Sequence, residues 1–99
     1  MATDKKYFLL KLNPPRPSFM VDMTEEERQI MGAHVAYWAP YIENGTMLVM
    51  GPVLDPAGGY GAGVIRIESE TELQHLLAND PANGLGTFEV HQMLASTKF

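Results

Sequence analysis

The 99-residue sequence contains no cysteine. That absence removes disulfides, thiolate nucleophiles, zinc fingers and iron–sulfur ligation together, so any catalysis must use other groups. Long apolar runs are also missing: nothing approaches the ~18 consecutive residues that a membrane-spanning helix needs. The opening Met1-Ala2-Thr3-Asp4-Lys5-Lys6-Tyr7 has no hydrophobic segment of the signal-peptide kind. A cytoplasmic protein without a membrane partner is expected. Positive charge is scarce, with 7 basic residues against 12 acidic ones and a net charge of −5. Apart from Lys5-Lys6 the basic residues are scattered, which argues against nucleic acid as a partner. What remains is 45% apolar and 19% charged, the composition of one globular domain spanning residues 1–99.

Lys5 to Leu12 reads as a first strand, stopped where Asn13-Pro14-Pro15 cannot continue a ladder. Asn13 to Asp22 is a proline-rich loop carrying Phe19, Met20 and Val21. Thr24-Glu25-Glu26-Glu27 is a capping box that opens a helix. At 100° per residue, Ile30, Met31, His34, Trp38, Tyr41 and Ile42 fall on its inward stripe. Pro40 predicts a kink or restart before Asn44-Gly45 ends the helix. Thr46 to Leu54 is apolar without alternation, as in a strand buried on both faces, and Gly51-Pro52 should interrupt its edge pairing. A Gly-rich turn then leads into Ala62 to Glu68, the third strand of a hairpin. Ser69-Glu70-Thr71-Glu72 is a second capping box that opens another helix, Asp80-Pro81 closes it, and Thr87 to Leu94 alternates as a fourth strand.

The order β-α-β-β-α-β predicts an α+β, ferredoxin-like split βαβ fold with both helices on one face of an antiparallel sheet. Tyr7 to Leu12 and Met47 to Leu54 are apolar on both alternating sets, so the second face calls for cover by a second subunit. A homodimer is expected.

Three histidines could carry chemistry. His75 projects away from Leu73 and Leu77 and reads as a surface residue. His91, in the fourth strand, either lines a cavity or fills a sheet face. His34 lies on the inward stripe, where an imidazole costs free energy unless its nitrogens find partners; it is either a satisfied core histidine or a general acid/base. Asp80 is available as its companion, since an Asp-Pro dipeptide can aim the carboxylate back toward the first helix, though the same dipeptide serves simply as a helix stop. No serine sits in a nucleophile motif, and His34, Asp80 and His91 lack metal-ligand spacing, so neither a metal nor a cofactor is expected. The glycines at positions 58, 59, 61 and 63 lead into a strand without the Gly-Lys-Ser/Thr of a phosphate loop.

Taken in order, Tyr7 to Leu12, Met23 to Glu27, His34 to Trp38, Gly51 to Gly58 and Asp80-Pro81 resemble the YCII-related proteins over nearly the whole chain. The resemblance implies a dimeric α+β barrel of two ferredoxin-like subunits with a site built around a His–Asp pair, here His34 and Asp80. The family also includes an aromatic-ring dehydrochlorinase. The expected function is therefore acid/base chemistry on a small cyclic or aromatic oxygenated molecule. His34 would exchange the proton and Asp80 would orient it; Gly51, Pro52, Trp38, Tyr60, Phe19 and His91 would form the surrounding pocket. A non-catalytic dimeric ligand-binding or interaction module is the reading from a different class, and a ring-oxidising enzyme on the same barrel is a third.

Overall fold

The computed structural model describes residues 5–97. Residues 1–4, part of the start read above as lacking a signal sequence, and residues 98–99 lie outside the described residues. The elements are β1 (Lys6–Asn13), α1 (Phe19–Asp22), α2 (Glu25–Glu43), β2 (Met47–Val53), β3 (Tyr60–Ile67), α3 (Glu70–Ala78) and β4 (Thr87–Met93). One antiparallel sheet has the order β2-β3-β1-β4, the arrangement expected of a split βαβ. No helix among the described residues is long and apolar enough to cross a membrane.

Strand alternation decides which side chains meet the helices. Phe8 and Leu10 of β1 lie beside Ile65 and Gly63 of β3, and this face packs with Trp38, Met47, Leu73 and Leu77 in one core. At ~25 cal/mol per Å² of apolar surface, burying a side chain such as Leu73 contributes about 1.5–3 kcal/mol. Both helices start where read, but only the first capping box is complete. Thr24 accepts from the Glu27 amide and Glu27 reaches back to the Thr24 amide, whereas at α3 only the Ser69 half of the exchange forms.

Several expectations are corrected. The Asn13–Asp22 loop contains the single-turn α1, which buries Phe19. Pro40 neither breaks nor restarts α2, which runs on to Glu43. Ile42 is exposed rather than inward, because the sheet contact of α2 is made by His34 and Trp38. Pairing continues through Gly51↔Ala62 and Pro52↔Gly61, and the irregularity lies instead between Met47 and Val49; β2 is an edge strand, where a proline removes no ladder bond if its nitrogen side faces outward. Nor is β2 covered on both faces within one chain, since Val49 is 61% exposed and Leu9 of β1 is 38% exposed.

Candidate functional site

His34 and Trp38 stand four residues apart on α2, so one helical turn places them one above the other on the sheet-facing side. Asp80 reaches them from the turn that ends α3. Its backbone amide bonds the Leu77 carbonyl, its carbonyl accepts from Asn83, and its side-chain Oδ1 accepts from the Ala82 amide at 2.8 Å. This is an Asx turn with Pro81 in the position where a fixed φ suits it. The dipeptide is thus both a helix stop and an aiming device.

The carboxylate meets His34 Nδ1 at 2.9 Å from each oxygen, and Trp38 Nε1–H donates to Oδ2 at 2.6 Å. Asp80 is 3% exposed. Burial alone pushes its carboxyl up, but the bonds from His34, the Ala82 amide and Trp38 outweigh that push and hold it below the ordinary carboxylate range. An ionised carboxylate only accepts, so the shared hydrogen belongs to His34 Nδ1. In the neutral ring the lone pair is then on His34 Nε2, which makes no hydrogen bond to a described residue.

His34 lies on the wall of a cavity of about 290 Å³ between α2, α1 and the helix-facing side of the sheet. Gly61 and Gly63 line it, and a Cβ at either would press on its neighbours, Leu12 at 3.3 Å for Gly61 and Met47 at 3.2 Å for Gly63. Five methionines line it (Met20, Met23, Met31, Met47 and Met50), and no lysine, arginine or carboxylate does. The thioethers are polarizable and adapt to a flat ligand. Of the residues singled out from the sequence, His34, Phe19, Trp38, Gly51, Pro52 and Tyr60 come together around this space. The Tyr60 ring also carries the Lys11 ammonium 4.5 Å from its centroid. His91 is not among them. It pairs with Leu9 across the ladder, projects from the opposite sheet face and meets Glu89 at 3.3 Å. His75 is exposed. No group of three His, Asp or Glu side chains among the described residues has metal-holding geometry.

One arrangement escaped sequence reasoning. Arg16 donates to Asp22 Oδ1 and the Asp22 carbonyl, both at 2.9 Å, and to the two oxygens of Glu27 at 2.8 and 2.9 Å. Its guanidinium also lies 5.4 Å from the Phe19 ring centroid. The Arg16 hydrogen bonds, followed by the Thr24 amide, pull the Glu27 carboxyl down to about 2. The effect is to fasten α1, with Phe19 and Met20 on the cavity, to the first turn of α2.

Residues 6–95 match the YCII-related domain. No curated protein matches the chain. Among solved structures it is similar to 5-chloro-2-hydroxyhydroquinone dehydrochlorinase from Burkholderia phenoliruptrix AC1100, solved in complex with 2,5-dihydroxybenzoquinone: the TM-score is 0.70 and the identity 22%, over 91% of this chain and 95% of that one. It is also similar to a variant of SnoaB, a cofactor-independent oxygenase from Streptomyces nogalater, with a TM-score of 0.50 and 14% identity over 97% of each chain. At these identities the likeness concerns the fold.

Proposed function

The chain belongs to the YCII-related domain family, and on that basis we propose that it is a small homodimeric enzyme, one domain over residues 1–99, that moves a proton on a small cyclic or aromatic oxygenated molecule. The observation that carries this reading is His34, which lines the cavity while its Nδ1 is held by the buried Asp80 carboxylate. Asp80 fixes the tautomer and stabilises the imidazolium that forms when Nε2 takes a proton. Both carboxylate oxygens are already engaged by His34, Trp38 and Ala82, so Asp80 orients rather than exchanges the proton.

With Nε2 as the single proton-transfer atom, two outcomes balance. The proton removed from a ring carbon returns to another ring atom on the same face, which is an isomerisation. Alternatively, the C–H electron pair forms a double bond as an anionic leaving group departs with its own pair, and His34 later releases the proton to water. Both fit general base catalysis by one imidazole. A cavity of about 290 Å³ is at the low end for small-molecule sites and suits one ring. Phe19, Trp38, Gly51, Pro52 and Tyr60 would contact that ring, and the second subunit would cover the open sheet face that carries Leu9 and Val49. The dehydrochlorinase among its structural neighbours acts on a chlorinated hydroxyhydroquinone, which supports the substrate class.

The alternative, a non-catalytic dimeric module, is favoured by the almost wholly apolar lining, which could hold a ring without changing it. Hydroquinones, catechols and quinones that raise the melting temperature should be incubated with the protein in D₂O. The enzyme reading expects deuterium to enter the ring of a bound compound, and His34→Asn to abolish that exchange while preserving the fold. Binding without exchange by the native protein supports the module instead.

A further inference from the structure

We infer that Trp38 is a positioning residue of the His34–Asp80 pair, acting through its indole N–H, in addition to forming part of the cavity wall. The inference rests on reading that pair as the proton-transfer site. Trp38 is 1% exposed, and a buried indole N–H needs an acceptor. A backbone carbonyl would satisfy that need as well as anything else. Instead the N–H meets Asp80 Oδ2 at 2.6 Å, the short separation of a hydrogen bond to an ionised acceptor.

Two donors that do not titrate therefore grip the carboxylate from different sides, the Ala82 amide at Oδ1 and the Trp38 indole at Oδ2. Together they set the carboxylate plane that His34 Nδ1 faces at equal 2.9 Å distances. Without the indole donor, Oδ2 has only His34 as a described partner, and the group can rotate, draw the imidazole off the cavity wall or change its proton. The donor is also rigid. The Trp38 ring stands edge-on to Tyr37, with centroids 5.2 Å apart, and tilted against Tyr41 at 5.5 Å. Tyr37 itself donates to the Leu76 carbonyl at 2.7 Å and not to Asp80. Burial, followed by Tyr41 and Asp80, raises its hydroxyl pKa and keeps it protonated. The carboxylate thus faces His34 and Trp38 from α2 and the Ala82 amide from its own turn.

The spacing has a functional consequence. A ligand that presses on the Trp38 ring acts on the group that sets the carboxylate plane, and through it on the tautomer of His34. Because Trp38 is the only tryptophan in the chain, its indole signal can be read without assignment ambiguity.

The test compares native protein with Trp38→Phe and with a protein carrying 3-benzothienylalanine at position 38, which keeps the ring shape and replaces N–H by sulfur. Both are checked for fold by circular dichroism, and the isostere serves if the phenylalanine variant does not fold. In native protein the indole ¹⁵N–¹H signal should be shifted far downfield, exchange slowly with water and move on Asp80→Asn. The ¹⁵N spectrum of His34 should show the hydrogen on Nδ1, and in the folded variants it should become a mixture of tautomers. Deuterium exchange into a bound hydroquinone, compared at saturating ligand, should fall by about tenfold to a hundredfold, as when an imidazole loses its orienting partner at a metal site. Folded variants with the native tautomer and exchange rate would overturn the inference, as would an indole signal insensitive to Asp80→Asn. If native protein catalyses no exchange on any ring compound, the proposed activity fails, while the tautomer comparison still decides the role of Trp38.

Discussion

At the scale of single residues, the decisive competition is at Asp80, where desolvation opposes hydrogen bonding and hydrogen bonding prevails. The sign of its contribution to stability follows. A carboxyl whose folded pKa lies below its unfolded value stabilises fully above the ordinary carboxylate range, and that contribution fades as the pH drops through the lowered folded value. Asp80→Asn replaces an acceptor by an amide that must turn an NH₂ toward His34 Nδ1–H, Trp38 or Ala82, all donors. It should cost about 1–3 kcal/mol at neutral pH, for the donors it leaves unpaired. The same change should lower any turnover by roughly 10²–10⁴-fold through loss of the tautomer. Urea melts of native and variant protein check the first point: the gap between them should narrow as the pH falls below the ordinary carboxylate range, and a constant gap would show that the carboxylate charge does not matter. His34 and Trp38 were legible in the sequence because helical periodicity alone puts them on the inward stripe. The meeting of Trp38 with Asp80 was not, since nothing in a spacing of 42 residues reveals it. His91 was misplaced for a related reason. Alternation shows that Glu89 and His91 share one face of β4, but not which face the helices cover.

At the scale of elements, the cover of the cavity depends on a short helix that no periodicity can reveal, since four residues make a single turn. The prolines around it announced a loop, and the capping box announced the start of α2, but no local pattern signals that Glu27 serves both the cap and Arg16. The clamp has a definite pH range. The Glu27 carboxyl is lowered to about 2, so its contribution is complete above the ordinary carboxylate range and is lost only as the pH falls toward that value. Protection of residues 13–22 against protease should therefore be the same from about pH 8 to about pH 5. Arg16→Ala should leave the core intact, because Arg16 lies at the surface, yet release α1. Faster proteolytic cutting between Pro14 and Asp22, and weaker binding of whatever ring compound occupies the cavity, are the expected results. Unchanged cutting in Arg16→Ala would mean that Phe19 alone holds the segment down.

At the scale of the whole molecule, the sheet explains both what was legible and what the single chain leaves open. Strand order and helix placement followed from the element order, because a split βαβ has few unknotted alternatives. The second face followed from an apolar pattern without alternation, and in one chain that face presents Leu9 and Val49 to solvent. We propose that another copy covers it; an obligate interface of this kind buries more than ~2,000 Å² in total. Val49 is the informative position. It sits on edge strand β2, whose ladder bonds run only to β3, and its neighbours Met47 and Met50 line the cavity. Val49→Asp places an uncompensated charge in the dimer interface while leaving the helix-facing core untouched, and burying such a charge unpaired costs several kcal/mol, roughly 3–5. Sedimentation of the native protein should give twice the 11.0 kDa chain mass, and Val49→Asp should give a monomer or an unfolded chain. A folded monomer from Val49→Asp should also bind ring compounds more weakly, because β2, which carries Met47 and Met50 at the cavity, would lose the backing of the second copy. If the native protein sediments as a stable monomer at micromolar concentration, the open face has another role and the cavity must work within one chain.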